Sequence, residues 1–130
     1  MARYLADTHS LLWYLSGSER LGAIARSVLS KTASGENEVL VPAIVIAEFI
    51  RIFEKRGGNI NAAHIIADLQ QKPGFRLTHL TPEIVLGICP LTSLPDLHDR
   101  LIVAEALAQG ATLITCDKAI TSSGLTPVVW

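Results

Sequence analysis

Asp7, Glu48, Asp99 and Asp117 are the residues of this sequence with the clearest chemical potential. Asp7 ends a short apolar run near the amino terminus, and Asp117 ends another, Thr112 to Thr115, near the carboxyl terminus. Asp99 lies at a helix entrance, and Glu48 interrupts the most apolar stretch of the chain. Hard divalent cations such as Mg²⁺ favour oxygen ligands and are commonly held by a few carboxylates, waters and a substrate phosphate. Acids drawn from distant segments to one place would suit such an ion. Without it they would repel, by about 4 kcal/mol for two charges ~4 Å apart at an effective dielectric constant of roughly 20.

Each acid also has a purely structural explanation. Asp7 could cap the helix that begins at Thr8. Asp96 and Asp99 could both serve a helix amino terminus, where the helix dipole favours negative charge, and for Asp96 this is the expected role. Asp117 could cap the segment starting at Lys118. Glu48 could pair with Arg51, three residues on and on the same helix face. Yet a carboxylate in so apolar a stretch is costly unless paired, hydrogen-bonded or metal-bound. Convergence of the four acids would favour a metal, whereas scatter would leave only caps.

The elements that must position these residues follow from periodicity and turn signals. Ala2–Ala6 reads as a strand, Leu11–Leu15 and Gly22–Thr32 as helices, and Glu38–Val41 as a second strand. Pro42 opens a helix from Ala43 to Arg56, apolar almost all round and expected to be buried on more than one side, one of them available to a dimer partner. A helix over Asn61–Gln71, a strand over Phe75–Leu80 and a short helix from Thr81 to Ile88 follow. Pro95-Asp96 then opens a helix closed by Gly110, Thr112–Thr115 is a covered strand, Lys118–Gly124 a small helix or loop, and Thr126–Trp130 a last strand. Alternating strands and helices predict an α/β sandwich around a mainly parallel sheet. In such sheets ligands bind outside the carboxyl ends of the strands, where Asp7 and Asp117 fall.

The chain has 130 residues, 49% hydrophobic and 18% charged, which excludes disorder and fits one domain with a well-covered core. The formal net charge of −1 rules out a bulk basic field drawing the protein to nucleic acid or membrane, so any such contact must be local. Cys89 and Cys116 form no metal-binding spacing and are expected to be ordinary reduced thiols, Cys116 a small buried hydrophobe. No apolar run is long enough to span a bilayer and no signal stretch is evident, so a cytoplasmic protein is expected.

Four stretches, Leu5-Ala6-Asp7-Thr8-His9-Ser10-Leu11-Leu12-Trp13-Tyr14-Leu15, Val41 to Glu48, His98-Asp99-Arg100-Leu101-Ile102-Val103-Ala104 and Leu113 to Ile120, resemble in order and spacing the PIN-domain nucleases of the VapC toxin type. The resemblance runs from the first strand to Trp130. It implies one PIN domain over residues 1–130, a three-layer α/β/α fold, and Mg²⁺- or Mn²⁺-dependent endoribonuclease activity. It also implies a homodimer and a cognate VapB-like antitoxin. Carried over by position, the metal-binding and catalytic acids are Asp7, Glu48, Asp99 and Asp117, with Asp96 accessory at best.

Glu105 stands where many relatives carry Thr. Six residues beyond Asp99, it should point about 120° away around the helix and stay outside the cluster. Thr8 and Thr115 are candidates to hydrogen-bond the ligating carboxylates. His9 and His98 flank acids and could touch phosphate or carry protons, although solvated or cap-associated roles are simpler. Arg51, Lys55, Arg56, Arg100 and Lys118 are the local cations that could track RNA. Two other readings compete. A phosphoacceptor module would want an adjacent acidic pair after the first strand, where Asp7 is followed by Thr8 and His9. A catalytically inactive PIN-like binding or regulatory module would keep the fold and act through its apolar helix surfaces.

Overall fold

The computed structural model describes residues 2–130. Five strands, β1 (Arg3–Ala6), β2 (Glu38–Pro42), β3 (Phe75–Thr78), β4 (Thr112–Ile114) and β5 (Val128–Val129), form one sheet in the order β3-β2-β1-β4-β5. Every pairing in it is parallel. Seven helices connect them: α1 (Thr8–Ser16), α2 (Ala23–Ala33), α3 (Ala43–Lys55), α4 (Ala62–Gln71), α5 (Pro82–Leu86), α6 (Leu97–Gln109) and α7 (Lys118–Ser123). Leu5, Ala6, Val39, Leu40, Val41, Leu113 and Ile114 are completely buried, as central strands must be when helices cover both faces. The α/β sandwich around a parallel sheet expected from the alternation is observed, in the three-layer α/β/α form that the family resemblance implies, with each boundary within a few residues of its expected place.

The strand order explains where a site can form. From β1 the chain steps outward through β2 to β3, then returns across the sheet to place β4 on the other flank of β1 and β5 beyond it. Right-handed crossovers put the helices of the two directions on opposite faces. α1 accordingly packs against α2 and α3, while α5 packs against α6. Between β1 and β4 the connections therefore diverge, and a crevice opens at their carboxyl ends. The backbone N–H of Asp7 still donates to Ile114 O across this junction, at 3.3 Å.

α6 owes its position to both of its ends. Asp96 caps it by accepting from Asp99 N at 2.9 Å, and Gly110 closes it in the left-handed conformation, φ 61°, which costs glycine nothing. Between them Ile102, Val103 and Ala106 bury against the sheet. In α3, Val45, Ile46 and Phe49 face the core, but Ala43 and Ala47 are exposed and Glu48 is only partly covered. Small alanines leave that side of α3 open beside the crevice. No helix among the described residues is long and apolar enough to cross a membrane.

Candidate active site

The crevice is a cavity of about 430 Å³ lined by Asp7, Glu48, Asp99 and Asp117, together with Asp96, Thr8, His9, Trp13, His98 and Cys116. Buried Ile102 and Ile120 complete its lining. All four acids singled out from the sequence therefore reach one place, from the ends of β1 and β4, the middle of α3 and the first turn of α6. They keep their structural roles as well. Asp7 Oδ1 accepts from Ser10 N at 2.8 Å, and Asp117 Oδ1 accepts from Ile120 N at 2.9 Å, so each caps the helix behind it. Capping and clustering are compatible, because a carboxylate has two oxygens and a cap employs one.

Asp7 is nearly buried, and that burial raises its pKa, against the lowering effect of hydrogen bonds from Thr115 and Ser10 and of the nearby His9. Asp99 is pushed up to about 6, first by desolvation and then by the negative charges of Asp117, Asp96, Glu48 and Asp7. Thus Asp99 senses all the other acids, as mutual repulsion in one cavity requires. Thr115 stands beside two of them: its hydroxyl accepts from Asp117 N at 3.0 Å and acts to lower the Asp7 pKa. This is the carboxylate-holding role expected of Thr115. Thr8 takes a different one, lying 3.3 Å from His98 Nε2.

Several expectations need correcting. Glu48 does not pair with Arg51. Its Oε1 lies 3.0 Å from His98 Nε2, while Arg51 turns to Glu54 at 3.1 Å. His98 is accordingly neither solvated nor a cap. Cys116 is exposed on the cavity wall rather than buried, because it lies just past β4, where strand burial has ended. Partial burial and then the charge of Asp7 raise its thiol pKa, which argues against a thiolate nucleophile. Arg100 donates from Nε to Leu94 O and so buttresses the loop before α6. Arg51 and Lys55 share a groove with Glu48 and His98, as their spacing on α3 suggested. Glu105 lies away from the cavity, buried and accepting from Thr78 Oγ1 at 2.9 Å.

Sequence pattern alone marks Trp13 only as a position of the first helix. It lines the cavity with His9, one helical turn before it, their ring centroids 5.3 Å apart. The spacing of four residues was the available signal. Behind it Trp130 packs edge-on at 5.7 Å, fixing the ring from the carboxyl-terminal side.

The chemistry of this donor set suits a hard divalent cation. Among the described residues no three His, Cys, Asp or Glu side chains close on one point as a preformed metal cage would. Mg²⁺ does not demand such a cage, since it retains waters and is usually held by one or two carboxylates and substrate oxygens. Four acids around one cavity, one of them with a strongly raised pKa, meet that looser requirement.

The PIN-domain family model matches residues 4–122. The chain belongs to the PIN-domain family. No curated protein matches this PIN domain in sequence. Among solved structures it is similar to VapBC2 from Rickettsia felis, bound to a promoter DNA fragment, at 16% identity and a TM-score of 0.73, with 98% of each chain covered. A toxin–antitoxin complex from Klebsiella pneumoniae aligns at 20% identity and a TM-score of 0.70, covering 98% of this chain and 96% of that one. VapC20 from Mycobacterium tuberculosis, a sarcin–ricin loop cleaving toxin, aligns at 18% identity and 0.65, covering 93% and 95%. At these identities the likeness is one of fold.

Proposed function

We propose that residues 1–130 act as one PIN domain that is a Mg²⁺- or Mn²⁺-dependent endoribonuclease, the toxin of a toxin–antitoxin pair, working in the cytoplasm. The observation that carries this reading is the gathering of Asp7, Glu48, Asp99 and Asp117 in one cavity at the switch point of a parallel sheet. The similarity in fold to VapC20 and to toxin–antitoxin complexes supports the choice of RNA as substrate and of a VapB-like antitoxin as partner. Apolar surface supports partner binding as well: Leu15, Phe53, Ile60 and Ile65 line a groove between α1, α3 and α4. Leu80, Val85, Leu86 and Leu97 are exposed elsewhere, apolar side chains that a homodimer contact would cover.

In this reading Asp7, Glu48, Asp99 and Asp117 hold the cation. When bound, it supplies a centre that activates water at neutral pH and offsets charge developing on the phosphoryl oxygens. The protein's own groups do the rest. Ser10 N–H and the Thr115 hydroxyl fix the Asp7 carboxylate, and Ile120 N–H fixes that of Asp117. The His9 and Trp13 rings offer an unpaired base a surface beside the acids, the usual way single-stranded RNA is gripped. Arg51 and Lys55, in the groove next to Glu48, offer cations to the phosphate backbone, with Arg56 and Lys118 further out. Since the protein as a whole is slightly acidic, these few contacts must supply the local attraction.

The test is cleavage of a mixed single-stranded RNA pool by purified protein with Mn²⁺. Wild type should cut, and Asp99→Asn should lose on the order of 100-fold or more, the scale set by losing a group that stabilises the transition state, with thermal melting intact. Undiminished cleavage by Asp99→Asn would refute the site. No observation favours an inactive binding module.

A further inference from the structure

Three of the four acids lie at or beside a helix amino terminus. Asp7 and Asp117 are each anchored by a free backbone N–H there, and Asp99 lies in the first turn of α6. Glu48 is different. It lies in the middle of α3, where backbone amides are already spent within the helix, and it carries the longest of the four side chains. Ordering it costs more rotamer entropy than ordering an aspartate, and no cap is available to do so.

We propose that His98 is the positioning residue for Glu48. Its Nε2 is 3.0 Å from Glu48 Oε1 and 3.3 Å from Thr8 Oγ1, and its side chain is 18% exposed. An ionised carboxylate only accepts hydrogen bonds, so Nε2 must carry the proton whether the ring is neutral or charged. With no lone pair left on that nitrogen, Thr8 Oγ1 can only accept the other branch of a forked bond. One N–H thereby ties α6 to α3 and α1 at the cavity wall. It is also committed, and cannot itself ligate a metal through Nε2. His98 gives Glu48 what backbone amides give Asp7 and Asp117.

This inference rests on the metal-site reading above. It is tested by calorimetric titration of Mn²⁺ into full-length wild type, His98→Ala, His98→Gln, His98→Asn, Glu48→Ala and the Glu48→Ala/His98→Ala double variant, each first shown by thermal melting to be folded. Loss of a residue that orients a metal ligand typically weakens affinity about 10-fold or more. His98→Ala should show that loss. His98→Gln, whose amide nitrogen reaches about as far as Nε2, should recover most of it, and His98→Asn, which reaches only as far as Nδ1, should not. In the Glu48→Ala background, His98→Ala should cost nothing more. An unchanged affinity in His98→Ala, or a further 10-fold loss on top of Glu48→Ala, would overturn the proposal while leaving the metal site standing. A wild type that binds no Mn²⁺ would overturn both.

Discussion

The two edges of the sheet treat carboxylates in opposite ways. At the amino-terminal edge Glu38 on β2 stands between Arg3 on β1 and Arg76 on β3, with N–O distances of 3.4 and 3.2 Å. Arg3 stands opposite Glu38 in the sheet register, and Arg76 stands opposite Leu40, two residues along β2 and so on the same face as Glu38, and one negative charge meets two positive ones. At the carboxyl-terminal edge Asp7, Glu48, Asp96, Asp99 and Asp117 line a single cavity. Among the described residues none of them is paired with a lysine or arginine; their basic neighbours are two histidines, His98 at 3.0 Å from Glu48 and His9 near Asp7. A fold that neutralises charge so directly at one edge and leaves it unbalanced at the other has left room for a cation from outside. Uncompensated repulsion of this kind opposes folding, and a ligand that relieves it stabilises the folded state.

The largest expected effect breaks or confirms that contrast directly. Mn²⁺ at a hundredfold excess over its Kd should stabilise the protein by about 2.7 kcal/mol, a rise of roughly 8 °C in Tm for a chain of this size. Asp99→Asn should lose most of this shift. Without divalent ions, however, the same variant should melt at or above the wild-type temperature, because it removes a repelling charge. Differential scanning fluorimetry with and without Mn²⁺ measures both. Equal Mn²⁺ shifts in the two proteins would mean that the acids at the carboxyl edge are not what the ion senses.

The acids were legible from sequence because the features that place them are local. Asp7 and Asp117 follow apolar strands and precede helices, a pattern that sets both the sheet edge and the cap. Glu48 stood out by contrast with its apolar neighbours, and Glu105 was correctly set apart by helical geometry alone. What could not be read depended on how elements meet. The alternation of strands and helices predicts a parallel sheet, but not that β4 inserts beside β1 to create the switch point. The role of His98 is invisible in the sequence because its partners, Thr8 on α1 and Glu48 on α3, lie far away in the chain. Arg51 was assigned to Glu48 on spacing, yet Glu54 is also three residues away and more exposed, and it takes the pair. Helical spacing names the possible neighbours; tertiary packing selects among them.

α6 allows the comparison to be sharpened within one helix. Asp99 and Glu105 both have raised pKa values, but for Asp99 four neighbouring acids contribute besides desolvation, whereas for Glu105 burial alone raises it and the Thr78 hydrogen bond opposes. A folded-state pKa above the unfolded value of 4.5 means that the native state binds the proton more tightly. Stability from Glu105 is therefore full below pH 4.5 and lost as pH rises through the folded-state pKa. Glu105→Gln removes that loss. It should be about neutral near pH 4 and, with the Thr78 bond offsetting part of the desolvation cost, stabilising above the folded-state pKa. Mn²⁺ should leave this difference untouched, since Glu105 lies outside the cavity. Urea unfolding across pH 4 to 8 reads it, and a difference that stays flat with pH would show that burial does not control this group.

The smallest effect tests the other edge. Glu38→Gln removes the charge that Arg3 and Arg76 share, and both of those side chains are more than a third exposed. Solvent and salt therefore screen the pairs, and each contributes no more than about 0.5 kcal/mol. Glu38→Gln removes both pairs and leaves the two guanidiniums to repel each other across β2, so the loss should stay under about 1 kcal/mol and shrink at high salt. The sign carries the meaning. Neutralising a carboxylate at the amino edge should destabilise the protein, whereas neutralising Asp99 in the absence of metal should not. If both substitutions destabilised to the same degree, and both losses shrank with salt, the acids of the cavity would be compensated by the protein itself, and the contrast between the two edges would fail.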